Sequence, residues 1–206
     1  MERFETLHAV AAPMPVPNMD TDQIVPARFL WNARDAGYGK FLFHDLRFAE
    51  DGSALPEFVL NAPQYESARI LVAGDNFGCG SSREGAVWAL HNHGIGVVIA
   101  PSFGDIFFNN AFKNGLLPIV LPAERVQALH RWLAEHPGAS MTVDLQAQSI
   151  RYGDGECESF EIDPFRKRLL LEGKDEISFT LAQGAAIEAF EARYDREFSW
   201  LSQMAR

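Results

Sequence analysis

Serine, arginine and glutamate side chains follow a glycine-rich loop in segment 74–84, which reads GDNFGCGSSRE. The apolar run 68–73 before it predicts a strand, and the run 86–90 after it predicts a helix. A loop between a strand and a helix presents backbone N–H groups and the positive end of the helix dipole to an anion. Arg83 adds a planar pair of donors that matches a carboxylate. The segment therefore predicts a site for a small carboxylate with a serine beside it.

Ser81 and Glu84 also have the spacing of a capping box, a motif whose N-cap residue stabilises a helix by about 1 kcal/mol. The two interpretations are compatible, because a capping serine lies at the helix end where an anion would bind. The glycines at 74, 78 and 80 favour a ligand, since a cap alone does not need them. The loop is neither a P-loop nor a dinucleotide fingerprint, because the Lys-Ser/Thr pair is missing and the glycine spacing differs.

Two further clusters have ordinary structural explanations. Asp20-Thr21-Asp22 on its own is typical of an Asx-rich turn. His91 and His93 precede Gly94, which predicts the end of a helix where the histidines complement the helix dipole rather than bind a metal. No metal site is therefore predicted in this chain.

Composition excludes several classes of protein. The chain has 206 residues, 47% of them hydrophobic, and a net charge of −10 without a Lys/Arg-rich run, so nucleic-acid binding is not expected. No apolar stretch approaches the roughly 18 residues that span a bilayer, and the N-terminus lacks a signal-peptide pattern. Cys79 and Cys157 show no disulfide or metal-site spacing, which predicts a reduced, cytoplasmic protein. An iron–sulfur cluster needs about three or four thiolates, so another chain would have to hold one.

The order of predicted elements favours an α/β fold with a mostly parallel sheet. Segment 31–47 contains two glycines and few aliphatic residues, and we expect a mobile surface loop there. The other expected elements are a first strand at 5–12, a β-α-β-α-β unit from 68 to 121, a helix at 123–135, a hairpin of strands 141–152 and 156–162, and closing helices at 164–172 and 183–195.

Three segments together resemble the small subunits of 3-isopropylmalate dehydratase, which are related to the swivelling domain of aconitase. They are DTDQIVPARFL at 20–30, NFGCGSSRE at 76–84 and IAPSFGDIFFNN at 99–110. Gly37-Tyr38-Gly39 and the segment 42–47 are similar to a loop of the same family. The resemblance runs in order over most of the chain and weakens after about residue 140. It implies a single swivelling domain over residues 1–206 with three layers, β/β/α.

What the resemblance implies is an enzyme divided between two chains. A large subunit would hold a [4Fe–4S] cluster whose open iron binds the substrate hydroxyl and carboxylate, and the small subunit would close over it as a heterodimer or larger assembly. The hydro-lyase would interconvert 2-isopropylmalate and 3-isopropylmalate by dehydration and rehydration in leucine biosynthesis.

The resemblance also implies roles for individual residues. Ser81 would be the base that takes the carbon-bound proton, and Arg83 would clamp a substrate carboxylate with support from Ser82. Thr21 and Asp22 match the family's Thr-Asp pair, in which Thr21 would contact substrate and Asp22 would orient catalytic groups.

The loop Trp31–Gly39 would read the substrate side chain, with Arg34 as a contact. Gly85 stands where the family usually has His after Ser-Ser-Arg-Glu, which leaves open a related hydro-lyase acting on a methylmalate or homoaconitate type of substrate. A non-catalytic anion-binding module is the other alternative, and the intact Ser81 and Arg83 argue against it.

Overall fold

A mixed sheet forms the centre of the protein in a computed structural model that describes residues 1–35, 37–80, 83–198 and 200. Within these residues the strands are β1 (Thr6–Met14), β2 (Ile70–Ala73), β3 (Val97–Ala100), β4 (Leu117–Val120), β5 (Ser140–Asp144), β6 (Ser149–Tyr152) and β7 (Glu156–Ser159). Their order across the sheet is β4-β3-β2-β1-β5-β6-β7. Strands β1 to β4 pair in parallel, whereas β1, β5, β6 and β7 pair antiparallel, so β1 joins the two parts.

Helices connect and cover the strands, and the predicted α/β class is confirmed. They are α1 (Thr21–Ile24), α2 (His44–Arg47), α3 (Glu84–His93), α4 (Asp105–Lys113), α5 (Ala123–Glu135), α6 (Pro164–Glu172), α7 (Glu176–Leu181) and α8 (Gly184–Glu197). Short 3-10 turns occupy Ala27–Phe29, Tyr38–Phe41, Val59–Asn61 and Pro63–Tyr65. Among the described residues, no helix is long and apolar enough to cross a membrane.

Strands β2 and β3 are apolar at every position because helices cover both faces of the sheet. Alternate residues of β2 point to opposite sides: Leu71 packs with the core around α3, and Ile70 packs with the core around α5. Both short strands are therefore held rigidly, and the segments that follow them start from fixed points.

The predicted strand 141–152 is wrong, because two strands, β5 and β6, occupy it with a turn between them. The side chain of Asp144 accepts a hydrogen bond from the Ala147 N–H at 2.7 Å, and Gln148 has a positive φ of 53°. No glycine or proline marks this turn, so the alternating pattern concealed it. The hairpin of β6 and β7 is confirmed, while α7 was not predicted.

The predicted surface loop 31–47 is also wrong over its second half. Trp31 is 94% exposed, but Tyr38, Leu42 and Phe43 are fully buried. A Cβ atom on Gly39 would lie 2.6 Å from the backbone of Asn92 in α3, so the chain packs tightly there. Aromatic side chains supply the core volume that the scarcity of aliphatic residues seemed to rule out.

Half-buried histidines lie on α3 and α5. His91 and His93 occupy the last turn of α3, which Gly94 ends in the left-handed conformation as predicted. Burial lowers the pKa of both rings, so they favour the neutral form and add packing rather than charge at this helix end. His130 of α5 donates from Nε2 to the Val72 carbonyl at 2.9 Å, and burial lowers its pKa as well.

The free energy of unfolding is expected to decrease as the pH falls from about 7.5 to about 5.5, measured by urea denaturation. The unfolded rings titrate near their ordinary pKa of about 6.5 and the folded rings below it, so the unfolded state binds more protons in this range. The variant His130→Gln keeps a donor for Val72 but cannot titrate, and its stability should depend less steeply on pH. An equally steep dependence would exclude His130 as a contributor.

Candidate active site

Three of the sequence motifs meet at the carboxyl ends of neighbouring parallel strands. Met14 at the end of β1 is aligned with Ala73 at the end of β2, and β3 ends beside them at Ala100. The segments that follow these strands contain Asp20-Thr21-Asp22, the loop 74–80 and Ser102. Ligands of α/β sheets bind outside the carboxyl ends of the strands, so a ligand site is expected at this edge of the sheet.

The first two motifs are joined through their backbones. The Gly78 N–H donates to the Met19 carbonyl at 2.7 Å, and the Thr21 N–H donates to the Cys79 carbonyl at 3.0 Å. Asp20 and Cys79 form a parallel bridge between these bonds. The start of α1 is therefore fixed against the glycine loop although some 60 residues separate them in the chain.

Ser102 fastens the third motif to the same loop. Its carbonyl accepts the Phe77 N–H at 3.1 Å, and its hydroxyl accepts the Asn76 N–H at 2.9 Å. The hydroxyl proton goes to the carboxylate of Asp75 at 2.5 Å. The loop is thus held on both sides, by the segment after β1 and by the segment after β3.

Packing within the chain explains two of the loop glycines. A Cβ atom on Gly74 would lie 2.4 Å from the Val16 carbonyl oxygen, and one on Gly78 would lie 2.3 Å from the ring of Phe107. The N–H groups of residues 76–78 all donate to protein acceptors, so they are not available to an anion. We expected the number of glycines to favour a ligand over a helix cap. It does not distinguish the two, because packing within the chain already requires Gly74 and Gly78.

The capping motifs differ from those predicted. Asp20 is the N-cap of α1 and forms a capping box with Gln23, in which both reciprocal hydrogen bonds are present. Helix α3 begins at Glu84 with Arg83 at its N-cap position, and the Glu84 carboxylate accepts a bond from Asn114 at 2.7 Å. These positions do not match a capping box of Ser81 with Glu84. Ser81 and Ser82 lie outside the described residues.

Arg83 forms an ion pair with Asp22, which links the N-cap of α3 to α1. The Arg83 side chain is 25% exposed and contacts Asp22 through Nη1. A guanidinium has five N–H donors, so this pair holds it in place and leaves it capacity for a bidentate carboxylate. Thr21 is buried beside them, and Gly80, at a positive φ of 96°, would place a Cβ 3.6 Å from its hydroxyl oxygen. The structure thus brings Thr21, Asp22 and Arg83 together.

Arg34 belongs to a neighbouring network that sequence reasoning missed. Its Nη2 donates to the side-chain oxygen of Asn114 at 2.7 Å, and its guanidinium lies over the Trp88 ring, 4.8 Å from the centroid. The amide of Asn114 in turn donates to Glu84 at the start of α3. Asn114 is one of the few buried polar residues, but its place before Gly115 resembles an ordinary helix end.

Matches to family models identify the class to which this chain is similar. A family model described as the aconitase C-terminal domain matches residues 1–124, the part that contains the site. The LeuD_N model matches residues 127–164, and a model of the C-terminal domain of 3-isopropylmalate dehydratase small subunits matches residues 176–203.

Individual relatives are more specific. A 3-isopropylmalate dehydratase small subunit of Paramagnetospirillum magneticum is 54% identical over 98% of this chain and 100% of that protein. The one from Ruegeria pomeroyi is 52% identical with the same coverage. A crystal structure of 3-isopropylmalate dehydratase from Methanocaldococcus jannaschii has a TM-score of 0.63 and 27% identity, covering 90% of this chain and 99% of that one. The chain belongs to the family of 3-isopropylmalate dehydratase small subunits.

The departure at Gly85 has a structural explanation. A Cβ atom there would lie 2.7 Å from the side chain of Leu30 and 3.0 Å from the hydroxyl of Tyr38. That hydroxyl is fully buried and has no hydrogen-bond partner among the described residues, and burial raises its pKa. The Tyr38 hydroxyl therefore occupies space that a side chain at position 85 would need.

Tyr38→Phe is expected to leave the melting temperature unchanged or to raise it, because the hydroxyl makes no bond that compensates its burial. Gly85→His should lower it, since overpacking typically costs about 1–3 kcal/mol. The loss should be smaller in the Tyr38→Phe background, and a double-mutant cycle by thermal denaturation measures this coupling. Strictly additive effects would show that the two positions do not compete for space.

Proposed function

We propose that this chain is the catalytic small subunit of a 3-isopropylmalate dehydratase, a hydro-lyase of leucine biosynthesis, and that it works only with a large subunit. The observation that carries the proposal is the contact of Arg83 with Asp22, because it joins two separate motifs into one charged site. The family name small subunit itself implies a large partner. We propose that the chain acts as a single swivelling domain over residues 1–206, and its cytoplasmic location stays a prediction.

The residues of this chain do not fit an iron–sulfur cluster. Cys79 lies in the site loop, whereas Cys157 lies on β7 at the opposite edge of the sheet from β4. The described residues contain no group of three or more His, Cys, Asp or Glu side chains arranged to hold a metal. We therefore propose that the large subunit holds a [4Fe–4S] cluster, which supplies a Lewis-acidic iron toward the substrate hydroxyl and carboxylate.

The charged site of this chain suits the carboxylate end of a small dicarboxylate. Arg83 would donate two parallel hydrogen bonds to one carboxylate while Asp22 holds its Nη1 in place. Ser82 and Thr21 would support that contact. Arg83 stands at the N-cap of α3, so its charge adds to the positive helix end and makes the site favourable for an anion.

Ser81 would act as the base two residues before Arg83. Its alkoxide would take the proton from the carbon next to a carboxylate, the hydroxyl group would leave the neighbouring carbon, and an alkene would form. Hydroxide would then return to the carbon that lost the proton, and the proton held by Ser81 to the carbon that lost the hydroxyl, which completes the isomerisation. The positive charge of Arg83 lowers the free energy of a nearby alkoxide, which is the condition for a serine to serve as base.

Arg34 and the exposed part of the loop beginning at Trp31 are proposed to read the side chain of the substrate. Asn114 connects Arg34 to Glu84, the first residue of α3, so a conformational change in this loop could alter the position of the N-terminal end of α3. Gly85, which stands where the family usually has His, favours a second candidate, a hydro-lyase for a related 2-hydroxy dicarboxylate such as a methylmalate. Turnover of a panel of 2-alkylmalates by the assembled enzyme distinguishes the two.

Ser81→Asn tests the base. With the cluster-bearing large subunit, the wild-type chain should convert 2-isopropylmalate and exchange its carbon-bound proton, whereas neither subunit alone should do so. The N-cap position of α3 is Arg83 rather than Ser81, so the variant should keep its melting temperature and its assembly. Loss of the base should lower kcat by about 10²–10⁴-fold. Wild-type proton exchange in deuterated water, followed by NMR, would contradict the assignment.

Arg83→Lys should lower kcat/KM for the dicarboxylate about tenfold or more, because Lys keeps the charge but loses the bidentate fork. The matched control is Arg168→Lys, which alters an exposed arginine paired with Glu172 on α6, away from the site. The control should keep wild-type kinetics. If the two variants have the same kcat/KM, Arg83 does not bind substrate.

A further inference from the structure

Helix α8 carries an apolar stripe that nothing in the described structure covers. The stripe consists of Ile187, Phe190 and Tyr194, together with Phe198 at the C-cap position just after the helix, and their spacing of three and four residues places them on one side. All four side chains are exposed, Phe190 by 53%, and no residue of α8 is buried. The stripe is thus a continuous apolar surface on a helix that makes no core of its own.

Helix α7, which precedes α8 in the chain, also has exposed apolar side chains. Its Phe179 packs edge-on against Phe165 of α6, with ring centroids 5.1 Å apart, and thereby attaches the segment to the domain. Its Ile177 and Leu181 lie one turn apart and are 71% and 74% exposed. The Arg168 guanidinium of α6 also lies over the Phe179 ring, 5.1 Å from its centroid. Both helices thus expose apolar side chains, while the contacts of Phe179 attach α7 to α6.

A helix in this state needs a surface to pack on. Isolated helices shorter than about 12–15 residues are marginal in water, and most helical stability in proteins comes from packing an apolar face. Helix α8 has 14 residues and buries none of them. Exposed apolar stretches of this kind mark sites of protein–protein interaction.

The family matches indicate which protein supplies that surface. The part of the chain that matches the aconitase C-terminal domain ends at residue 124, and the segment 176–203 matches a C-terminal domain described for small subunits. A domain within a longer chain is held near its partner domains by its linker, but a separate subunit needs binding energy of its own. The C-terminal helices thus belong to the part of the chain that matches separate small subunits, and not to the part that matches the aconitase domain.

We propose that α7 and α8 dock the chain onto its large subunit, with the apolar stripe seated in a groove on that subunit. Amphipathic helices bind grooves through anchors at such spacings. Glu191 and Glu197 flank the stripe, and the Arg193 guanidinium lies over the Phe190 ring, 5.6 Å from its centroid. The groove should therefore have basic residues opposite the two glutamates and an acidic residue opposite Arg193. This inference rests on the proposed function for the identity of the partner. None of the site residues belongs to the segment, so docking leaves the carboxylate site free.

The double variant Ile187→Ser/Phe190→Ser tests the docking surface. Ser, Ile and Phe have similar helix propensities, so the helix itself is little affected. The dissociation constant for the large subunit, measured by titration calorimetry with the full chain, should rise about tenfold to a hundredfold. At saturating small subunit, kcat should stay at the wild-type value, and the melting temperature of the free chain should not change.

The matched control is Ala189→Ser, which places a serine on the opposite side of the same helix. Its dissociation constant should remain within about twofold of wild type. An unchanged dissociation constant in the double variant would overturn the proposal. So would light scattering that shows the free chain to form dimers that the double variant loses, with binding to the large subunit unaffected, because a second copy would then cover the stripe.

The outcomes for docking and for catalysis are separable. If the complex forms and weakens in the double variant but no 2-alkylmalate is turned over, the docking surface stands and the proposed function falls. If the double variant binds like wild type and the complex is active, the proposed function stands and the docking surface falls.

Discussion

The backbone pairing between the segment after β1 and the glycine loop after β2 is the constraint on which the site depends. Two hydrogen bonds, Gly78 to Met19 and Thr21 to Cys79, hold the segments side by side. The pairing requires Gly78 to have no side chain, because the Phe107 ring occupies the space where its Cβ would be. The aromatic packing of α4 is therefore part of what positions residues far away in the sequence.

From this pairing the charged site follows. Because α1 is fixed against the loop, Asp22 lies within reach of Arg83 at the N-cap of α3, and the two form an ion pair. The Asn114 network also holds this helix start, because its amide donates a hydrogen bond to Glu84. The start of α3 is thus held by an ion pair and by an amide bridge, which is the kind of fixed geometry that carboxylate recognition requires.

The two ends of the chain have different physical characters. Residues as far as Leu170 in α6 build the sheet and its two cores, and the site lies among them. Helix α8 contributes nothing to either core and presents its apolar residues outward. The residues proposed to bind substrate and those proposed to bind the large subunit therefore lie in different segments of the chain.

Sequence alone determined the class of the fold, most of the helices and strands, and the motifs that contain Asp22 and Arg83. Strong apolar periodicity and the glycine loop are local signals, so they can be read without a structure. The turn after Asp144 was not predicted, because it contains neither glycine nor proline. The burial of Tyr38 was not predicted, because aromatic residues in a polar segment give no periodic pattern.

Only the tertiary structure decided how the motifs meet. The pairing of Met19 with Gly78 depends on which strands are neighbours, and the reason for each loop glycine depends on what packs against it. The role of Asn114 likewise arises from contacts with residues at least 30 positions away in the chain. Such long-range contacts follow from the topology of the sheet. The type of a single residue does not indicate which distant segment it will meet.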